Sequence, residues 1–407
     1  MNQTPVDVSK KLELGNYIES ALRSPQLGVL GKYIAMTNKG KPGETASMIE
    51  TLSARYGDDA VAKALVSAGR REDSSLELMA LAQQLQSQQL YAWLDSDKSV
   101  GDVFKLLKLK NDGYEALTSR KMLVLDDYIA KFNHHYPEHQ TSLLEALTKG
   151  FGGESNLVSL LNTAKQDTRT MVKARGLEAG MLKQWQDESL EPANVMKLLH
   201  LDQSVTSVLT NINLRTFLKY LKKFNGNNPT KQETLVGVMA SIYGEANVAK
   251  AIVSALRAGD TNGVAAKLEL QQFKGWMARH LSGEDVFRLL KIRNDDFFRH
   301  SRNLPTLDNY IQFINREKGA DETLIGVLTR GFGESRLAEL LMGAKSNPLL
   351  ENTAIKLQNA QFSEWSGKHL APAKFFTDIF KVEEAKASAT QKEVVKGFAA
   401  YANNHSA

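Results

Sequence analysis

Four tryptophans divide the chain into intervals of about 90 residues, and each recurs in the same local sequence. A large apolar residue lies three positions before each tryptophan, and another lies eleven positions after it. The tryptophans, with these flanking residues, are Trp93 (Leu90, Phe104), Trp185 (Leu182, Met196), Trp276 (Phe273, Phe287) and Trp365 (Phe362, Phe376). An internal period of this length limits the fold to an array of similar units that stack on their neighbours.

Two further landmarks repeat in the same order. A tyrosine follows each tryptophan by about 35 residues, and each unit also carries an aromatic–glycine pair. The tyrosines are Tyr128, Tyr220, Tyr310 and Tyr401, and the pairs are Tyr56-Gly57, Phe151-Gly152, Tyr243-Gly244 and Phe332-Gly333. An earlier copy of the tyrosine motif surrounds Tyr33 with no tryptophan before it. We therefore expect this chain to begin inside a unit.

Helix breakers follow each tyrosine motif and mark the predicted unit boundaries. They lie at 38–43, 134–138, 225–229 and 317–320. The predicted units are residues 1–40 (the C-terminal part of a first unit), 41–136, 137–228, 229–318 and 319–407.

The spacing of apolar residues around each tryptophan predicts a one-sided stripe on a helix rather than the alternation of a strand. Ser99 and Ser282 are typical N-caps of the next helix, each with an aspartate three residues on. In the other two copies Pro192 and Pro372 occupy the first helical position. The glycine of each aromatic–glycine pair predicts a helix end in the left-handed conformation. The expected fold is all-α, with about five helices in each unit and almost no strand.

The recurring tryptophans and tyrosines have two interpretations, a buried anchor or an exposed contact with a partner. A contact residue has no reason to recur with its apolar neighbours at fixed spacing, whereas a buried tryptophan would stabilise a bundle that lacks disulfides. The predicted fold-defining core is therefore Trp93, Tyr128, Trp185, Tyr220, Trp276, Tyr310, Trp365 and Tyr401.

Composition and motifs exclude several function classes. The net charge is only +5, from 51 basic and 46 acidic side chains interspersed along the chain, which disfavours nucleic-acid binding. No cysteine is present, and no apolar run is long enough to span a membrane. The sequence contains no nucleophile elbow, phosphate-binding loop or zinc-protease motif. We expect no enzymatic activity, no cofactor and no metal.

Three polar clusters are candidates for chemical sites. His134, His135 and His139 are the only histidine cluster, and a solvated loop is the expected interpretation rather than a metal site. The acidic pairs at 126–127 and 294–296 are expected to be helix surface or caps rather than paired catalytic carboxylates.

The repeat as a whole resembles the tandem LWY units of oomycete RXLR effectors. The stretches DVFKLLKL (Asp102–Leu109) and DVFRLLKI (Asp285–Ile292) are especially close, and the resemblance covers essentially the whole chain. It implies a stiff, elongated rod of helical bundles, secreted by a plant pathogen and acting as a virulence factor in the host cytoplasm or nucleus. A subset of such effectors recruits the scaffold subunit of host protein phosphatase 2A in place of a regulatory subunit, which gives the sharpest expectation for the partner.

Some features leave the function open. The sequence shows no RxLR or EER-type leader, and the residues that contact a partner stay unknown. The alternatives are an adaptor for another host protein, such as an autophagy or RNA-silencing component, or a structural spacer. Units differ at 134–139, 221–228 and 293–303, where Phe297 and Phe298 were weighed as core or as a contact patch. The array is expected to be a monomer without affinity for nucleic acid or membrane.

Overall fold

The computed structural model describes most of the chain. It covers residues 3–40, 45–70, 74–258, 263–292, 303–368 and 374–405. Across these ranges every regular element is a helix, which confirms the all-α prediction. Phe297, Phe298, Pro372 and the acidic cluster at 294–296 lie outside the described residues.

The chain divides into two compact bodies. The N-terminal body comprises Met1–Leu201 and Thr210–Lys222, and the C-terminal body comprises Asp202–Leu209 and Lys223–Ala407.

The first thirteen α-helices extend to the end of predicted unit 137–228. They are α1 Pro5–Lys11, α2 Ile18–Arg23, α3 Gln26–Gly40, α4 Met48–Tyr56, α5 Asp58–Arg70, α6 Leu76–Asp95, α7 Val100–Leu106, α8 Arg120–His135, α9 Leu143–Phe151, α10 Glu154–Ala164, α11 Met171–Asp187, α12 Pro192–Leu198 and α13 Leu214–Asn227. Shorter 3-10 segments lie at Leu109–Thr118, Pro137–His139 and Val208–Thr210.

The remaining helices repeat the same order. They are α14 Leu235–Tyr243, α15 Glu245–Arg257, α16 Val264–Ala278, α17 Gly283–Leu289, α18 Leu304–Lys318, α19 Leu324–Phe332, α20 Glu334–Ala344, α21 Glu351–Gly367, α22 Phe375–Asp378 and α23 Ala389–His405. A further 3-10 segment lies at Glu384–Lys386. None of the described helices has the length and apolar character needed to cross a membrane.

The helix starts predicted from capping residues are confirmed. Ser99 and Ser282 form reciprocal capping boxes with the aspartates three residues on. Pro192 is the first residue of α12, a position at which a backbone N–H would have no acceptor within the helix, so its absence costs nothing. Glu245 and Glu334 open α15 and α20, where the helix dipole favours a carboxylate.

The aromatic–glycine pairs do end helices, but the predicted left-handed conformation is wrong for three of the four glycines. Gly57, Gly244 and Gly333 combine positive φ with ψ near 146°, a region open essentially to glycine alone. There the glycine N–H closes one helix, while its carbonyl accepts the first hydrogen bond of the next helix. In the copy at Gly152-Gly153 the first glycine is left-handed and the second supplies that carbonyl.

The tyrosine helices run further than the breakers predict. α3 ends at Gly40, α8 at His135 and α13 at Asn227, so His134 and His135 are helical rather than part of a loop. Histidine is well placed there, since cations and polar donors are favourable near a helix C-terminus.

The core consists of successive buried clusters rather than a single centre. One cluster runs from Leu14 to Leu85 in the N-terminal body. In the C-terminal body one runs from Ala249 to Leu357, across the predicted boundary between units 229–318 and 319–407, and another from Ala338 to Phe398. Neighbouring units in that body therefore share apolar surface, as expected for a stacked array.

Candidate functional site

The tryptophan and tyrosine of each of the first three complete units form an edge-to-face pair. The ring centroids are 5.9 Å apart for Trp93–Tyr128, 5.7 Å for Trp185–Tyr220 and 5.3 Å for Trp276–Tyr310. All six side chains are buried. Perpendicular aromatic pairs at this distance add attraction beyond the burial of their area. These residues are therefore inaccessible to a partner.

Each paired tyrosine hydroxyl donates to a backbone carbonyl at the end of the tryptophan segment. Tyr310 Oη lies 2.6 Å from the Leu281 oxygen, and Tyr128 and Tyr220 donate in the same way to Lys98 and Leu190. Burial raises the pKa of Tyr310 to about 12, and burial is also the main cause of the raised pKa of Tyr128. The hydroxyls are neutral structural donors and not acid–base groups at ordinary pH.

The last unit arranges its aromatic residues differently. Trp365 is buried against Phe375 at 4.9 Å and Phe398 at 6.0 Å. Tyr401 is half-buried and contacts Phe362 at 5.7 Å. Phe398, which the sequence analysis did not single out, occupies the fully buried position on this helix.

In two units the indole N–H of the tryptophan donates to the acidic residue that opens the helix after the aromatic–glycine pair. Trp93 Nε1 lies 3.3 Å from Asp58 Oδ1, and Trp276 Nε1 donates to the Glu245 carboxylate. Arg279 also pairs with Glu245, at 2.6 Å. The acidic helix start therefore has a second role as acceptor for a buried donor.

An asparagine side chain fixes the chain at each of the four predicted unit boundaries. It donates to a backbone carbonyl and accepts from the N–H of the same residue, which immediately precedes the N-cap of the next unit's first helix. The bridged pairs are Asn38–Ala46, Asn133–Thr141, Asn225–Glu233 and Asn315–Glu322, with N–O distances of 2.7 to 3.1 Å. The sequence carries this signal as an asparagine five residues after Tyr33, Tyr128, Tyr220 and Tyr310, which the predictions from sequence did not use.

A phenylalanine–glycine contact forms two of the joints between predicted units. Phe104 on α7 packs against Gly150 and, edge-to-face at 5.3 Å, against Phe151 on α9. Phe287 repeats this contact with Gly331 and Phe332, also at 5.3 Å. A Cβ atom at Gly150 would lie 2.6 Å from the Phe104 ring, so the joint requires glycine.

The burial of Phe104 removes one candidate motif. Phe104–Leu107 matches the aromatic-x-x-aliphatic pattern of short autophagy-binding sequences, but Phe104 and Leu107 are only 2% and 0% exposed. Both side chains are committed to the core and cannot reach a partner without local unfolding.

The two polar clusters that lie within the described residues have exposed or half-buried side chains. His134, His135 and His139 are exposed, and among the residues that the structure describes no group of three or more His, Asp or Glu side chains could hold a metal ion. Burial raises the pKa of Asp126, which lies 3.9 Å from Lys173, and Asp127 accepts from Gln86 at 3.0 Å. These aspartates are occupied by structural contacts.

One unit contains a buried charged cluster without a counterpart in the sequence predictions. Glu178 on α11 is 3% exposed and contacts Lys165 at 2.7 Å and Lys219 at 2.6 Å. The Thr216 hydroxyl donates to the same carboxylate at 2.7 Å. Burial opposes ionisation of Glu178, but these three hydrogen bonds outweigh it and hold its pKa below the ordinary value. The cluster ties α11 to α13 and fixes Lys219 at the surface.

Comparison with known proteins identifies relatives of this chain. No family model matches the chain. The chain is 38% identical over 91% of its length to an RxLR effector protein of Phytophthora infestans (strain T30-4), and 32% identical over 98% of its length to a second one from the same strain. It is 28% identical over 92% of its length to the RxLR effector protein PSR2 of Phytophthora sojae.

The share of each relative's own length that this chain spans differs. The chain spans about half the length of the first and third of them, 53% and 56%, and 79% of the second. Among solved structures, the crystal structure of PcRxLR12 superposes over 99% of this chain and 96% of its own, with a TM-score of 0.51 and 24% identity, which supports the helical repeat fold. The identity to the two Phytophthora infestans proteins, over nearly the whole of this chain, shows that it belongs to the RxLR effector proteins.

Proposed function

We propose that this chain acts as a secreted virulence effector that enters the host plant cell and binds a host protein there without catalysing a reaction. The proposal rests on one observation: the side chains that recur from unit to unit serve to hold the fold together. The tryptophan–tyrosine pairs, the capping residues and the boundary asparagines are all engaged in holding the fold. What differs between units is the outward surface, and a binding protein is expected to carry its specificity there.

The proposed partner is the scaffold subunit of host protein phosphatase 2A. In this proposal the chain takes the place of a regulatory subunit and redirects dephosphorylation, and immunity is suppressed as a result. The resemblance of the repeat to the tandem LWY units supports this partner, and the membership in the RxLR effectors supports a host target in general. The proposed site of action is the host cytoplasm or nucleus.

The test is affinity purification from plant cell extract with this chain as bait, followed by mass spectrometry. We expect enrichment of the phosphatase scaffold and catalytic subunits without a regulatory subunit. Reconstitution with purified subunits should then show that the chain and a regulatory subunit compete for the scaffold. Reproducible enrichment of a different host protein would discard the phosphatase and keep the adaptor function.

Core variants serve as matched controls for the purification. Trp93→Ala, Trp185→Ala and Trp276→Ala each remove one buried anchor from a different unit. Only the variant in the unit that contacts the partner should lose the captured proteins. If the unaltered chain captures nothing above background, the structural spacer is the better account.

A further inference from the structure

The outward face of α13 differs in charge from the equivalent face of α8 and of α18. Counted from the tyrosine, the positions five before, two before, one before and two after are Arg215, Leu218, Lys219 and Lys222 on α13. The same positions are Leu123, Asp126, Asp127 and Ala130 on α8, and Pro305, Asp308, Asn309 and Gln312 on α18. Because the units share one fold, each serves as an internal reference for the others. Three cations on this face are therefore a property of this unit and not of the repeat.

These side chains are open to solvent. Arg215, Lys219 and Lys222 are exposed, and Arg215 and Lys222 form no ion pair with any residue that the structure describes. Lys219 pairs with Glu178, and the same carboxylate also pairs with Lys165. The cluster of two lysines and one carboxylate therefore keeps one net positive charge. The face therefore presents a positive potential along about 10 Å of helix, from Arg215 to Lys222.

The face also carries aliphatic surface. Leu218 is 43% exposed and shares its helix face with the cations, and Ile212, two residues before the helix, is 41% exposed. An apolar strip flanked by positive side chains is complementary to an amphipathic helix with leucine-type residues flanked by Asp or Glu. A membrane is a poorer match, because the strongly apolar face of α13 (Phe217, Tyr220, Leu221) is buried in the unit and cannot insert.

We propose that Arg215, Leu218, Lys219 and Lys222, the basic face of α13, form with Ile212 just before the helix a docking surface for an acidic amphipathic helix of the host partner. The proposal rests on the proposed function, since it names a surface through which a host protein would be held. The buried Glu178 cluster supports it by fixing Lys219 in position, which reduces the conformational entropy lost when a partner binds.

The direct test uses a defined probe and the full chain. A fluorescent helical peptide with a leucine stripe flanked by glutamates is titrated at low and high salt, and binding is followed by anisotropy. We expect binding that weakens with salt, and a loss of at least about tenfold in the Arg215→Glu/Lys222→Glu variant. The matched control is Lys250→Glu/Lys267→Glu, which changes the same charge at two other exposed lysines and should bind within about twofold of the unaltered chain.

Several outcomes would overturn the proposal. These are equal binding by the two double variants, no binding of the acidic peptide, or tighter Arg215- and Lys222-dependent binding to duplex DNA or to anionic vesicles. Concentration-dependent self-association that these variants abolish would assign the face to a second copy of this chain instead. Circular dichroism of each variant verifies that the helices remain formed.

The same variants separate this inference from the proposed function. If the unaltered chain and the Arg215→Glu/Lys222→Glu variant capture the phosphatase subunits equally from plant extract, the docking surface is wrong and the proposed function stands. If the unaltered chain captures no phosphatase while peptide binding depends on Arg215 and Lys222, the phosphatase is wrong and the surface stands.

Discussion

Replacing Gly150 by alanine should loosen the joint between α7 and α9. The added Cβ would lie 2.6 to 2.7 Å from three atoms of the Phe104 ring, whereas carbon atoms in contact are about 3.5–4.0 Å apart. Phe104 is 2% exposed, so its ring has no free space to enter. Overpacking of this kind costs about 1–3 kcal/mol, and the better helix preference of alanine returns about 1 kcal/mol. For a rigid buried ring we expect a net loss of about 1–2 kcal/mol.

The chain offers a matched control and a rescue for this substitution. At Gly176 on α11 a Cβ would meet no other heavy atom within 4 Å, so Gly176→Ala should stabilise its helix by up to about 1 kcal/mol. Adding Phe104→Leu to Gly150→Ala should recover part of the loss by making room for the Cβ. At the sequence positions that correspond to Phe104 and Gly150, the next copy of the repeat has Met196 and Ile242.

The assay must resolve individual helices, because an array of units need not unfold in one step. Hydrogen exchange with mass spectrometry gives the opening free energy of α7 and α9 separately. We expect both helices to exchange faster in Gly150→Ala, and the effect to shrink in the double variant with Phe104→Leu. Equal protection in Gly150→Ala and Gly176→Ala would show that the Cβ at Gly150 does not strain the joint, and so would a double variant less protected than Gly150→Ala.

Three further predictions follow from the same contacts. Asn133→Ala removes two hydrogen bonds to the Thr141 backbone and should cost about 2 kcal/mol at that boundary. Hydrogen exchange at the start of α9 should then be faster. Unchanged exchange there would rule out a stabilising role for Asn133. Trp276→Ala empties a site that is 1% exposed and should cost about 3–5 kcal/mol in its unit, so an unchanged melting temperature would contradict its role as an anchor. The pKa of Glu178 is lowered in the folded state, so its contribution to stability is present above about 4.5 and is lost as the pH falls through the folded pKa. Acid unfolding of the full chain against Glu178→Gln measures this, and identical acid dependence would show that the cluster contributes nothing.

Most of the fold could be predicted because it follows from local rules. The capping serines and the acidic helix starts each depend on a few neighbouring residues, and the structure has them where the sequence places them. The repeat itself can be recognised directly from the spacing of the tryptophans in the sequence. The conformation of Gly57 could not be obtained in this way, because its ψ is set by the angle between two packed helices and not by its neighbours.

The contacts between units were the part that sequence reasoning missed. The match between Phe104 and Gly150 depends on two helices that are far apart in sequence, and only their packing shows that a Cβ would not fit. The asparagine five residues after four of the motif tyrosines did leave a signal, but an asparagine beside breakers resembles an ordinary turn residue. Phe398 escaped notice because its spacing from Trp365 differs from that of the tyrosines.

The outward surface of a unit is not free to vary independently of its interior. In three units the residue before the tyrosine contacts the residue seven before the tryptophan, as Gln86–Asp127 at 3.0 Å, Glu178–Lys219 at 2.6 Å and Glu269–Asn309 at 3.1 Å. An aspartate at 219 would place a carboxylate against the buried Glu178, and like charges at that separation are unfavourable, the more so where water is excluded. The basic face of α13 is therefore coupled to the core of its own unit through Glu178. A unit transplanted into another repeat array should keep this face only if α11 and α13 are moved together.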